Sequence, residues 1–170
     1  MDYYSKGRER MYIGIDPSTT STGFAVFKED GTLIEKGKFL AEADDPKAFQ
    51  SLYKDLSGLF LKYQPKAILC EQQHAGQNAK TMIKLVRPTG VVLAAAGLVD
   101  ALFDFKHPSS WRKIYHTGTE FEKKYSKADS FKVTKERFPG AVTSFKKDND
   151  ISDAIGLGYA CRILFSEVAS

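Results

Sequence analysis

Residues 11–40, MYIGIDPSTTSTGFAVFKEDGTLIEKGKFL, decide how the chain is read. Residues 11–16 form a short apolar run that ends on a carboxylate and a Pro/Ser/Thr-rich turn, which predicts a strand. Residues 23–28 and 32–39 predict two more strands joined through Glu-Asp-Gly, so the chain opens as a three-strand meander. From Asp45 the period changes. Phe49, Leu52, Tyr53, Leu56, Leu59, Phe60 and Tyr63 recur at helical spacing and predict an amphipathic helix that closes before Pro65. Residues 66–70 then read as a short buried strand.

Residues 78–103 have helical character throughout, but Pro88 lacks a backbone donor and is expected to kink the helix or split it near Arg87. Gly90, Ala94, Gly97 and Ala101 fall on one face there, where another element can approach closely. Ordinary core packing is the favoured explanation of that face and a dimer contact the alternative. Residues 103–106 predict the last strand, 108–115 and 126–138 short helices, and 150–165 a terminal helix. The expected fold is α/β: one mixed five-stranded sheet, an antiparallel meander followed by parallel strands, with helices on both faces. A single domain over residues 1–170 is expected, with 1–10 flexible.

Composition bounds the function without naming it. With 25 Lys and Arg against 21 Asp and Glu, charge allows a polyanionic partner but does not demand one. The basic residues crowd between 106 and 147 (Arg112, Lys113, Lys123, Lys124, Lys127 and Lys132 among them), which suits a basic face or a solvated helical surface. Cys70 and Cys161 each lie in an apolar run and read as buried thiols rather than a disulfide or a zinc site. The N-terminal stretch has no signal-like apolar core, and residues 91–99 are too short a run to span a bilayer, so a cytosolic protein is expected.

Four carboxylates carry the chemistry. Asp16 ends an apolar strand, where burial without a cation, a metal or donors would be costly; donors from the Ser18–Thr20 turn are the plainer explanation. Glu71 repeats the pattern after Ile68-Leu69-Cys70, and two acids at the carboxyl ends of separate strands can converge at one sheet edge. Asp150 and Asp153 are three apart at the expected start of a helix, so they share a face. Capping by Asp148, Asn149 or Asp150 explains one acid, but Asp153 sits on the apolar side of its helix and reads as a metal ligand. Hard oxygen ligands from several elements suit magnesium, and three or four such carboxylates are what a pair of these ions would need.

GIDPSTTSTGFAVF from Gly14, CEQQHAGQNAKTMIKL with its trailing RPTGVVLAAA, and DISDAIGLGYA near the end resemble the RuvC-type Holliday junction resolvases, in that family's order and over most of the chain. The resemblance implies a ribonuclease H-like fold, a homodimer, and paired symmetric nicking of four-way DNA junctions with two Mg2+ ions per site, for which Mn2+ can substitute. Asp16, Glu71, Asp150 and Asp153 match the family's four acids. His74 falls where an aromatic often wedges into the junction. Arg112, Lys113, Lys124 and Lys127 are the candidate DNA contacts, with Lys127 or Lys113 placed to offset charge developing on the phosphate. The Trp111-Arg112-Lys113 segment, a longer stretch over 121–125 and Pro88 depart from the family pattern. The resemblance also implies a bacterial or phage-infected cell as the setting.

Three other functions are compatible with part of this residue pattern. An actin-like ATPase or sugar kinase can carry a similar Gly-Ile-Asp hairpin, but needs a second lobe that the chain lacks. Another ribonuclease H-like nuclease, acting on RNA/DNA hybrids or flaps, would use the same acids. A non-catalytic junction-binding protein would not need all four. The segment from Glu71 to Leu85 favours the junction, and the sequence leaves open whether Asp148 or Asp150 is the ligand.

Overall fold

A computed structural model describes residues 9–40, 45–73 and 78–166. β1 (Met11–Pro17), β2 (Ser21–Lys28) and β3 (Leu33–Leu40) pair antiparallel in turn, as the opening stretch predicts. The β1–β2 turn is closed by Ser18, whose N–H and hydroxyl both donate to Ser21 O at 2.8 Å. α1 (Pro46–Tyr63) is capped by Asp45, which accepts from Lys47 N at 2.9 Å, and carries the chain back so that β4 (Ala67–Glu71) lies parallel to β1. α2 (Ala79–Ala96) repeats the crossover, placing β5 (Leu102–Lys106) parallel to β4. The resulting five-stranded sheet has the order β3-β2-β1-β4-β5.

Alternation along the central strands sends side chains into two cores. Ile13, Ile15, Val26, Ile68 and Cys70 pack against Leu52, Leu56 and Phe60 of α1 and Val92 and Ala95 of α2. Tyr12, Ala25, Phe27, Ala67 and Leu69 face the other way, onto α3 (Pro108–His116), α4 (Lys127–Arg137) and α5 (Phe145–Phe165). With both faces covered, β1 can be apolar along its length except at the end, which is why Asp16 stands out. α5 lies so close on β1 and β2 that a Cβ at Gly14 would collide with Gly158 N and Ala154 O. Both cysteines are buried and free, and among the described residues no helix is long and apolar enough to cross a membrane.

Several local expectations are corrected. α2 is not split at Pro88 but runs unbroken to Ala96, with the proline buried and the Thr89 hydroxyl donating to Leu85 O at 2.8 Å beside it. It also stops well short of residue 103, since residues from Leu102 are drawn into the sheet by pairing with β4. The small-residue face is not core: Gly90, Ala94 and Gly97 are exposed, and Ala101 lies beyond the helix. α5 begins at Phe145 rather than near 150, so Asp150 and Asp153 sit in its second and third turns. The expectation of flexibility over 1–10 lies mostly outside the described residues; Glu9 and Arg10 are described, and pair with Lys28 and Glu29 at 2.8 and 3.1 Å.

Candidate active site

Strand parity and register bring the first two carboxylates together. Gly14 and Asp16 point from β1 to the α5 face, as do Leu69 and Glu71 from β4. The parallel register pairs Ile15 with Cys70, so Asp16 and Glu71 follow side by side at the carboxyl edge of the sheet. Across from them α5 presents Asp153, which is fully buried, and Asp150, whose carboxylate accepts from the Ser21 hydroxyl. The small residues that let α5 descend onto the strands therefore also set how near its acids come to the strand acids.

Among the described residues, two cations reach these groups. Lys127, the first residue of α4, places Nζ 3.3 Å from Asp153 Oδ2 and 3.8 Å from Asp150 Oδ1. Arg112 reaches from α3 with one guanidinium nitrogen 3.3 Å from the same Asp153 oxygen. Even so, burial raises Asp16 well above its ordinary value, and Glu71 and Asp153 add to the effect. Burial likewise raises Glu71 against the opposing pull of Arg112, and pushes Asp153 up to about 7 although Lys127 and Arg112 oppose it. Lys127 is raised: burial works against its charge, and the carboxylates of Asp153, Asp16 and Asp150 outweigh it.

Among the described residues, Asp16 Oδ2 and Asp153 Oδ1 are buried oxygens with no hydrogen-bond partner. A buried acceptor left unpaired is costly, and a hard cation is the group that would satisfy an oxygen-only donor set. Among the described residues no three His, Cys, Asp or Glu side chains are already drawn into an ion cage; Lys127 and Arg112 supply positive charge there instead. The residues thus fit a divalent ion in chemistry, with the final approach of the carboxylates left to its binding.

Asp148 is turned away from this cluster. Its carboxylate accepts from Thr143 N at 2.7 Å and Ser144 N at 3.1 Å, closing the start of α5, and these bonds hold it below the usual carboxylate range. Asp150, not Asp148, joins the other three acids. Of the candidate DNA contacts, Lys127 reaches the acids, while Lys113 and Lys124 are exposed, the latter lying over the Phe121 ring at 5.8 Å. Arg112 is mostly buried and aims inward, because its guanidinium stacks on the Trp111 ring at 4.7 Å. His74 lies outside the described residues. Two participants escaped the sequence reading: Ser21, and Trp111, whose indole N–H donates to Glu71 Oε2 at 3.0 Å. The only available signal for Trp111 was that it is the chain's sole tryptophan, set in the segment that departs from the family pattern.

A family model described as crossover junction endodeoxyribonuclease RuvC matches residues 12–158. The chain belongs to the RuvC family. RuvC of Syntrophomonas wolfei is 30% identical over 98 residues, covering 51% of this chain and 55% of that protein. RuvC of Carboxydothermus hydrogenoformans is 29% identical over 156 residues, covering 87% and 92%. The chain thus spans about half the length of several curated relatives it matches, and most of the Carboxydothermus one. Among solved structures, Thermus thermophilus RuvC in complex with a Holliday junction substrate superposes with a TM-score of 0.72 at 15% identity, covering 94% of this chain and 96% of that one. The yeast mitochondrial Holliday junction resolvase gives 0.58 at 15% identity, covering 88% and 76%. These likenesses and the strand order bear out the ribonuclease H-like fold.

Proposed function

We propose that this RuvC-family chain is a Holliday junction resolvase, a structure-selective endodeoxyribonuclease that makes paired nicks in four-way DNA. The observation that carries the reading is the meeting of Asp16, Glu71, Asp150 and Asp153 at one sheet edge, with two buried carboxylate oxygens lacking partners. The relatives' shared name and the junction-bound Thermus structure support it. The four carboxylates would hold two Mg2+ ions, with Mn2+ able to substitute. Ions held there would supply activation of the attacking water and charge stabilisation at the scissile phosphate.

The chain's own residues have separable roles. The acids fix where hydrolysis occurs. Lys127, within reach of both Asp150 and Asp153, neutralises their excess charge before DNA arrives and is placed to meet the phosphate afterwards. Lys113, Lys124 and the other exposed lysines of this side form the rim that contacts the DNA backbone. A four-way junction has near two-fold symmetry, so two copies of the site in an isologous dimer suit paired cleavage. The exposed apolar face of α2, with Ile83, Val86 and Leu93 around Gly90 and Ala94 and with Leu98 just beyond the helix end, is the surface for that homodimer.

The decisive experiment compares nicking of a labelled four-way junction, linear duplex, flap DNA and an RNA/DNA hybrid, in Mg2+ or EDTA, for the wild type and Asp16→Asn. Symmetric nicks on the junction alone, lost in EDTA and in the variant, are expected. Cleavage of the hybrid or the flap instead would discard the substrate and keep the site. Junction binding without cleavage by the wild type would point to a non-catalytic binding protein.

A further inference from the structure

α3 delivers two consecutive residues into the acid cluster, and their geometry is coupled. Trp111 is fully buried, and its Nε1–H donates to Glu71 Oε2 at 3.0 Å, leaving the other carboxylate oxygen without that tether. The face of the same indole carries the Arg112 guanidinium at 4.7 Å, and Arg112 meets Asp153 Oδ2 at 3.3 Å. The indole therefore touches one acid directly and governs the approach of a cation to a second. Its seat is made by α5: a Cβ at Gly156 would collide with Trp111 Cζ3 and come within 2.9 Å of Tyr115 Cδ1. Gly156 lies one turn beyond Asp153, so a single helix supplies both a site acid and the room for the indole.

We infer that Trp111 is a positioning residue, one that orients the Glu71 carboxylate for a divalent ion and steers Arg112 onto Asp153. The inference rests on reading the four acids as an ion site. A neutral donor suits this role, because an indole N–H holds a carboxylate in one orientation without adding a positive charge that would compete with the ion. Arg112 and Lys127 do add such charge, and both gather at Asp153 rather than at Glu71. Direct contact thus divides between the acids, cations pairing with the α5 acids and the neutral indole with the β4 acid, on which Arg112 and Lys127 act at longer range.

The test uses Trp111→Phe, which keeps an aromatic in the seat while removing the donor and part of the ring volume. Calorimetric titration with Mn2+ in the absence of DNA is expected to show affinity falling by about tenfold, the usual size of an outer-shell loss at a metal site. On the junction, kcat should fall by about the same factor while KM stays unchanged; a merely structural role would instead lower the melting temperature and leave ion affinity alone. Wild-type Mn2+ affinity in a folded variant overturns the proposal. Should the variant not fold, the wild-type protein still decides. The single indole N–H proton resonance is expected to shift on adding Mg2+ and to move and exchange faster in Glu71→Ala, and an unmoved resonance in both overturns the proposal. If the wild type binds no divalent ion at all, the ion-site reading fails and the role of Trp111 with it, while the response to Glu71→Ala still reports the hydrogen bond by itself.

Discussion

Replacing Gly14 by alanine adds one methyl group in the middle of the central strand, and the structure gives the consequence. The new Cβ would lie 2.7 Å from Gly158 Cα and nearer still to Gly158 N and Ala154 O, all backbone atoms of α5. Ordinary carbon contacts are about 3.5–4.0 Å, so the helix must retreat by about 1 Å, and no rotamer change can relieve the clash. Overpacking of a core costs about 1–3 kcal/mol, and a clash with helix backbone belongs at the upper end. For a chain of this size that lowers the melting temperature by about 6–12 °C. α5 also carries Asp150 and Asp153, and a misplacement of about 1 Å at reacting groups can cost about a hundredfold in rate. Thermal unfolding and single-turnover nicking of a four-way junction check both halves. Gly58→Ala is the control, since among the described residues nothing lies within 4 Å of a Cβ there and it sits within α1; it should be neutral or stabilising by up to about 1 kcal/mol. A Gly14→Ala protein that melts with the wild type and cuts at its rate would refute the argument that close α5 packing sets the site.

In EDTA the acid cluster should make stability fall as pH rises. Asp153 holds its proton to about 7 when folded against 3.8 otherwise, so the folded state binds more protons across that window and loses stability through it. Asp153→Asn should flatten this slope and Mg2+ should offset it, as melting curves from pH 4 to 8 with and without the ion will show. His116 gives the opposite sign, because burial lowers its pKa from 6.5 although its Nδ1 hydrogen bonds to the Phe121 and Lys124 carbonyls oppose that. Its contribution is complete above pH 6.5 and is lost as pH falls toward the folded value, so His116→Asn should remove an acid-side fall in melting temperature. Lys127→Ala should cut the nicking rate by about a hundredfold while junction binding, measured by gel shift in EDTA, changes little. Leu93→Glu on the exposed face of α2 should shift the protein to monomers in sedimentation, and an unaltered dimer would move the interface elsewhere.

Which residues belong to which strand or helix was legible in the sequence wherever the signal is local. The meander at 11–40, the helix beginning after Asp45, and the buried strand ending on Glu71 all follow from periodicity and turn residues, because each depends on near neighbours. The acids at the strand ends were legible for the same reason: a carboxylate closing an apolar strand is anomalous on its own. The start of α5 was not. Residues 146–149 are polar, and the helix is held there by Asp148 reaching back to Thr143 and Ser144, a bond the periodicity does not encode.

The sequence by itself therefore determined the fold class and nominated the four acids, since strand parity and helical spacing are properties of the chain in isolation. Only the tertiary structure decided their use. It turned Asp148 into a cap and Asp150 into a member of the cluster, drew Arg112 inward onto Trp111 and Asp153, and left the small-residue face of α2 exposed. The cap is a short-range bond that periodicity does not encode, whereas the meeting of Asp150 and Asp153 with the strand acids depends on α5 seating itself on Gly14, a contact between distant backbones that no local pattern fixes.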